Sequence, residues 1–345
     1  GFAEIEWTDY LLSWMKRQLD YVTRSGGSLL LDGHPGDMER LASLYPEEMK
    51  IFKEAIKDGR LEAIRGAFSA AYLPVLSDET NIRQFSYGLS SFKKALDAKV
   101  ESYFSPVDHG DYHPQLPQIL NNFGYKQVML QGGAPVNTND LIKWKGPDGS
   151  EINAIPRMSF YGFSVPGPLA EADKQGNKIA IFGVGSFDAG TDFVGERESL
   201  IVNGVAPIAG KWVTIKELFE KAPKPEQSYY LDADALWANR TGGWTSWGCI
   251  NESYVWNRAA ENAILAAEKF STIAALLGKS PKDNLKQAQG KFDESWKKLM
   301  IAQDHMLWGS PDYKNIIIDA GLNPEDDAPD SIRRAIGGME GFYTT

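Results

Sequence analysis

The chain has 345 residues and a formal net charge of −10 at pH 7, from 36 Lys and Arg against 46 Asp and Glu. That acidic balance argues against a nucleic-acid partner, which calls for a basic patch. No run of about 18 apolar residues is there to cross a membrane. The single Cys249 rules out an internal disulfide and a cysteine-based zinc site. Ten Trp, fourteen Tyr and sixteen Phe are many for this length; aromatic faces stack on sugar rings, but filling a large core is their default use.

In chain order, Leu11, Met15, Leu19 and Val22 repeat at helical spacing, and Gly26-Gly27 predicts where that helix ends. Ser28 to Asp32 is a short apolar run suited to a buried parallel strand. A helix follows over Pro46 to Ile56, closed at Gly59, then a strand over Leu61 to Phe68 and a helix over Asn81 to Leu96. Val100 to Phe104 and Gln127 to Leu130 read as strands on either side of a helix over Leu116 to Phe123. Strands alternating with helices at this spacing predict βα units and a parallel sheet or barrel. Ile142 to Ile155 reads as a hairpin across a Pro147-Asp148-Gly149 turn. Ile179 to Val184 reads as a strand running into Gly185–Asp192, and Tyr229 to Ala233 as the last strand. Thr214 is positioned to cap a short helix to Lys221, with Glu217 at the capping-box position.

From about Asn251 the pattern is all helix. One run spans Glu252 to Leu277 with Val255, Ala259, Ala263, Ala266 and Phe270 on one stripe. Gly278 ends it. A second spans Lys282 to Met306 with Phe292, Trp296, Leu299 and Ala302 in step, and a third is predicted over Pro329 to Ile336.

Chemistry concentrates in the loop from Ser105 to Gln115, where Asp108, His109, Asp111 and His113 fall within six residues at a strand end. Half of the four histidines lie there, so a metal or acid–base site and a solvated helix-capping turn are both open from these residues alone.

Three separated segments resemble glycoside hydrolase family 38, the α-mannosidases, in the right order. Asp108 through Leu120 is similar to the family's Asp-x-Phe-Gly-His-Ser-x-x-Leu-Pro-x-Ile-Leu loop. Arg240-Thr241-Gly242-Gly243-Trp244-Thr245-Ser246 resembles its Arg-Gly-Thr-Tyr-Thr-Ser segment, with one extra residue. Ala302 to Ser310 resembles its Gln-x-His-Asp-x-x-x-Gly-Ser/Thr segment. Weaker echoes are Glu79 to Gln84, like Glu-Ser-x-x-Arg-Gln, and the Trp144 to Ile152 hairpin.

The resemblance implies an α/β fold: a distorted seven-stranded (β/α) barrel lacking its first strand over residues 1–250, then an α-helical (three-helix) bundle over 251–345. It also implies a retaining, zinc-dependent α-mannosidase acting on mannose-containing glycans. In that scheme Asp108 is both nucleophile and Zn2+ ligand, His305 is the histidine ligand, and Tyr112, Arg240 and Trp244 contact substrate. Trp308 joins Tyr112 and Trp244 as an aromatic wall facing the sugar. Two further ligands belong to a His-x-Asp motif ahead of Gly1-Phe2, so the chain is expected to be a piece of a longer protein whose compartment cannot be inferred.

Departures matter. Gly110-Asp111-Tyr112-His113 stands where the family has Phe-Gly-His-Ser, which makes Asp111 a competitor of Asp108. Met306 replaces the Asp expected after the ligand His, removing a group that would orient the imidazole. Strict alignment puts Ser186 at the acid/base position, with Asp188 two residues on as the expected acid. The alternatives are a catalytically inactive carbohydrate-binding homologue and a metal-dependent polysaccharide deacetylase on a related barrel.

Overall fold

The computed structural model describes residues 2–105, 113–131, 136, 138, 140–158, 173–174, 176, 187–188, 191–192, 204, 211–232, 252–279 and 282–304. The chain divides into two compact units. The first comprises Gly1–Ala67, Gly88–Val107 and Tyr112–Asn239, the second Phe68–Tyr87, Asp108–Asp111 and Arg240–Thr345.

In the first unit, α1 (Phe2–Ser25) stops at Gly26, whose φ of 70° suits a residue without a side chain. Strand β1 (Leu29–Leu31) follows, then α2 (Pro35–Leu44), α3 (Met49–Lys57) and β2 (Leu61–Ala63). Helix α2 is an element the periodicity reading passed over; Pro35 sits in its first turn, and Met38 and Leu41 are buried. Strands β1 and β2 pair in parallel, Leu29 to Leu61 through Leu31 to Ala63.

The strand expected over Leu61–Phe68 breaks early. Arg65 and Gly66 take φ of 68° and 78°, which turns the backbone out of the sheet after a single bridge from Ile64 to Ser102. That bridge carries the parallel order on to β3 (Ser102–Ser105). Helix α4 (Asp78–Leu96) enters both units, Asp78–Tyr87 in the second and Gly88–Leu96 in the first.

Beyond β3 come α5 (Leu116–Asn122), β4 (Gln127–Gln131), β5 (Ile142–Lys145) and β6 (Glu151–Met158). After them come the two-residue strands β7 (Phe187–Asp188) and β8 (Thr191–Asp192), then α6 (Ile215–Lys221) and β9 (Ser228–Tyr230). Five strands join in the order β3-β4-β6-β5-β9, with β3, β4 and β6 parallel and β5 antiparallel to β6. One extra residue bulges on β6 between Ile155 and Met158; Pro156 falls there, and with no N–H it cannot donate to the ladder. The predicted hairpin turn is present, with Gly149 at φ 87° and Asp148 Oδ1 accepting from Ser150 N at 3.1 Å.

One face of the sheet packs Ile64, Phe104, Met129 and Ile155 against Ile215 and Phe219 of α6. Thr214 caps that helix as expected, its Oγ1 accepting from Glu217 N at 3.1 Å. The capping box is only half made, since Glu217 pairs instead with Lys211 and Lys221. The architecture is therefore α/β, five strands plus two, followed by C-terminal helices. Among the described residues the sheet is open, with no pairing of β9 to β1.

In the second unit, α7 (Glu252–Leu276) and α8 (Lys282–Ala302) pack against each other. The Arg83 guanidinium spans them, 2.8 Å from Glu268 and 4.1 Å over the Trp296 ring, while Trp296 Nε1 donates to Glu268 at 2.9 Å. Trp296, Leu299 and Ala302 are buried as the α8 stripe requires. The α7 stripe is displaced: Trp256, Ala260 and Ile264 are buried, and Phe270 is 71% exposed. The expected strand at 179–184 and helix at 329–336 lie outside the described residues.

Candidate active site

Parallel strands carry chemistry at their C-terminal ends, because the crossover connections leave those ends open to short, variable loops. In the first unit Asp32 follows β1, Arg65 lies just beyond β2, and Ser105 closes β3. Arg65 Nη2 donates to Asp32 Oδ2 at 2.7 Å, with the two side chains 6% and 25% exposed. The Tyr125 hydroxyl donates to the Arg65 carbonyl at 2.6 Å, and Arg65 N donates to Ser102 O at 3.0 Å, so the left-handed turn is held from two sides.

Most residues singled out in the sequence lie outside the described residues: Asp108, Asp111 and Tyr112 in the loop after β3, then Ser186, Arg240, Trp244, His305 and Trp308. Asp188 is described by its backbone, which pairs with Thr191 in the antiparallel β7–β8 ladder. His113, at the end of the same loop, accepts from Gln115 N through Nδ1 at 3.2 Å. It holds the turn that leads into α5, whose N-cap Gln115 makes no side-chain cap of its own.

Ahead of His305 the second unit holds a buried polar chain. Gln303 donates to Asn257 Oδ1 at 2.8 Å and accepts from Gln84 Nε2 at 3.0 Å. Gln84 in turn accepts from Ser69 N at 2.9 Å, and all four residues are at most 3% exposed. Asp304 Oδ2 accepts from Ala70 N at 3.2 Å, and Asp304 bridges Ala71. The segment after Ala67 is thereby moored to the two residues that precede His305. Burial also raises the carboxyl of Glu261 on α7 above the usual carboxylate range, against the hydrogen bond from Thr80 and the charge of Arg258.

Among the described residues no three His, Cys, Asp or Glu side chains are grouped to hold a metal ion. Sequence reading missed Asp32, Arg65 and Asn257, while Gln303 lies within the Ala302–Ser310 segment that resembles the family's Gln-x-His-Asp motif. Gln84 lies within the Glu79–Gln84 echo, where Thr80, Asn81 and Gln84 prove to be fully buried.

The model of the glycosyl hydrolases family 38 N-terminal domain matches residues 40–299. A 115-residue stretch is 31% identical to "Alpha-mannosidase G" of Dictyostelium discoideum, spanning 31% of this chain and 10% of that protein. An α-mannosidase from Enterococcus faecalis superposes with a TM-score of 0.66 at 15% identity, over 96% of this chain and 40% of the other. A 4-alpha-glucanotransferase from Thermococcus litoralis does so with a TM-score of 0.59 at 11% identity, over 90% of this chain and 55% of the other. At such identities the superpositions establish a shared fold, and the chain spans well under two thirds of each of these relatives. The family match runs through both units and through more than half of the chain, and on it this protein belongs to glycosyl hydrolase family 38.

Proposed function

We propose that the intact protein is a retaining α-mannosidase-like hydrolase that cleaves α-mannosidic bonds of glycans. The observation that carries this reading is the family match over residues 40–299, which takes in the Asp108–Leu120 loop and the Arg240–Ser246 segment. Asp108 attacks the anomeric carbon as the bond to the leaving oxygen breaks, and Asp188 delivers the proton that oxygen needs. Asp188, now a carboxylate, then takes a proton from water as the water displaces Asp108. Tyr112, Arg240 and Trp244 orient the sugar in this scheme.

The implied cofactor is Zn2+, with Asp108 and His305 as ligands; a carboxylate oxygen and an imidazole nitrogen are donor types that zinc accepts. Bound zinc would supply Lewis-acid polarisation of sugar hydroxyls. On the same reading the strands close into a distorted seven-stranded barrel over residues 1–250, and 251–345 completes a three-helix bundle.

Hydrolysis of an aryl α-mannoside by the intact protein, with release of the α-anomer detected by NMR, is the expected result. Asp108→Asn should abolish turnover. Asp188→Ala should be partly rescued by azide or by an activated leaving group. Sugar binding with no hydrolysis would make the chain a carbohydrate-binding homologue instead.

A further inference from the structure

We propose that Asp32 is an acceptor for a sugar hydroxyl at the strand-end face of the sheet, presented in a fixed orientation by Arg65. The ligand class rests on the glycosidase reading above; the position of the site rests on the geometry of the first unit. Asp32 lies at the C-terminal end of β1, on the same end of the parallel strands as Ser105, where β3 ends.

An ionised carboxylate offers about four acceptor sites. Arg65 occupies Oδ2 through one nitrogen, while Oδ1 is buried and has no hydrogen-bond partner. A pair built for stability alone would be expected to close as a fork, with both oxygens bonded. At the end of β3, the buried Ser105 Oγ is also unpartnered. The side chain of Asp32 as a whole keeps a quarter of its surface exposed, and its buried Oδ1 is an orphaned acceptor of the kind a bound donor satisfies.

The backbone that presents Arg65 is over-determined. A residue with a Cβ is disfavoured at φ 68°. It is held there by Tyr125 on its carbonyl and by Gly66, at which a Cβ would come within 2.4 Å of the Tyr125 hydroxyl oxygen. Strain of this kind persists where surroundings enforce it, and such places concentrate at ligand sites. Its effect here is to aim a buried guanidinium at one carboxylate oxygen. A carboxylate held in this way can accept short, charge-assisted O–H···O− bonds.

The experiment uses the intact protein and a set of aryl α-mannosides each lacking one ring hydroxyl. In the wild type, one of these should lose about ten- to a hundredfold in kcat/KM, the range for a hydrogen bond to a charged group. In Asp32→Asn the Arg65 donor draws the amide oxygen, leaving an N–H where the acceptor was. The penalty for that one deoxy substrate should then shrink at least fivefold while the others stand, a coupling that a merely structural role does not produce. The double variant Asp32→Ala/Arg65→Met removes both charges of this pair and should show the same loss of coupling. Unchanged penalties in either folded variant overturn the proposal. So does a crystal structure of the wild type with methyl α-mannoside in which no sugar oxygen lies within about 3.5 Å of Asp32. A wild type that neither cleaves nor binds any mannoside overturns the glycosidase reading, and this inference with it.

Discussion

At the scale of single residues, two positions in the first unit turn burial and backbone geometry into measurable behaviour. The Glu62 carboxyl accepts from Ser102 Oγ and from Lys216 N, yet burial outweighs those bonds and raises it above the usual carboxylate range. A raised folded value means that the folded state holds the proton more tightly than the unfolded chain. Stability should therefore fall as pH rises from the unfolded value near 4.5 through the folded one, and level off above it. Urea unfolding across that window should show the decline, and Glu62→Gln should flatten it. A slope unaltered by the substitution would assign the titration to another group, with Glu261 next in line. Gly66 offers a sharper test. Gly66→Ala must adopt φ 78° and displace the Tyr125 hydroxyl, so a loss of about 2–4 kcal/mol is expected. Tyr125→Phe should cost only about 1 kcal/mol, because it removes the bond to Arg65 O and strains nothing.

At the scale of elements, what was legible follows from how strongly each side chain reports its own surroundings. Apolar runs such as Leu29–Leu31 and the Thr214 cap declare themselves, because burial and local hydrogen bonding select those residue types. The left-handed turn at Arg65 does not, since the conformation is imposed by Tyr125 and Ser102, far along the chain. The α7 stripe failed for a related reason. Asn257 and Glu261 look like a solvent face but are buried, so a count of apolar positions rotates the helix toward Phe270. Asn257 is paired inside the unit with Gln303. Gln303→Leu should strip Gln84 Nε2 of one of its two acceptors, leaving it only Ser69 Oγ, and take from Asn257 Oδ1 the donor at Gln303 Nε2; a cost of about 2–4 kcal/mol is expected, read as a lower urea midpoint with an unchanged slope. Phe270→Ser, at a side chain 71% exposed, should change stability by no more than about 0.5 kcal/mol.

At the scale of the whole molecule, the βα alternation and the switch to helices near Asn251 follow from periodicity alone, because both patterns repeat over many residues. The proposed site does not, because its residues lie far apart in sequence and only their order along the chain links Asp108 to His305. The proposed zinc dependence joins those two residues in one observable. A ligand that binds only the folded state stabilises it by RT ln(1 + [L]/Kd), about 2.7 kcal/mol at a hundredfold excess over Kd. Dialysis of the intact protein against a chelator should lower its melting temperature and abolish mannoside cleavage, and one equivalent of zinc should restore both. His305→Ala and Asp108→Asn should each melt near the chelated temperature and gain little from added zinc, since losing one ligand of a closed set weakens the rest. A zinc-induced rise of full size in either variant would remove that residue from the ligand set. Full activity after complete removal of zinc would leave Asp108 and Asp188 to act as a carboxylate pair without a metal.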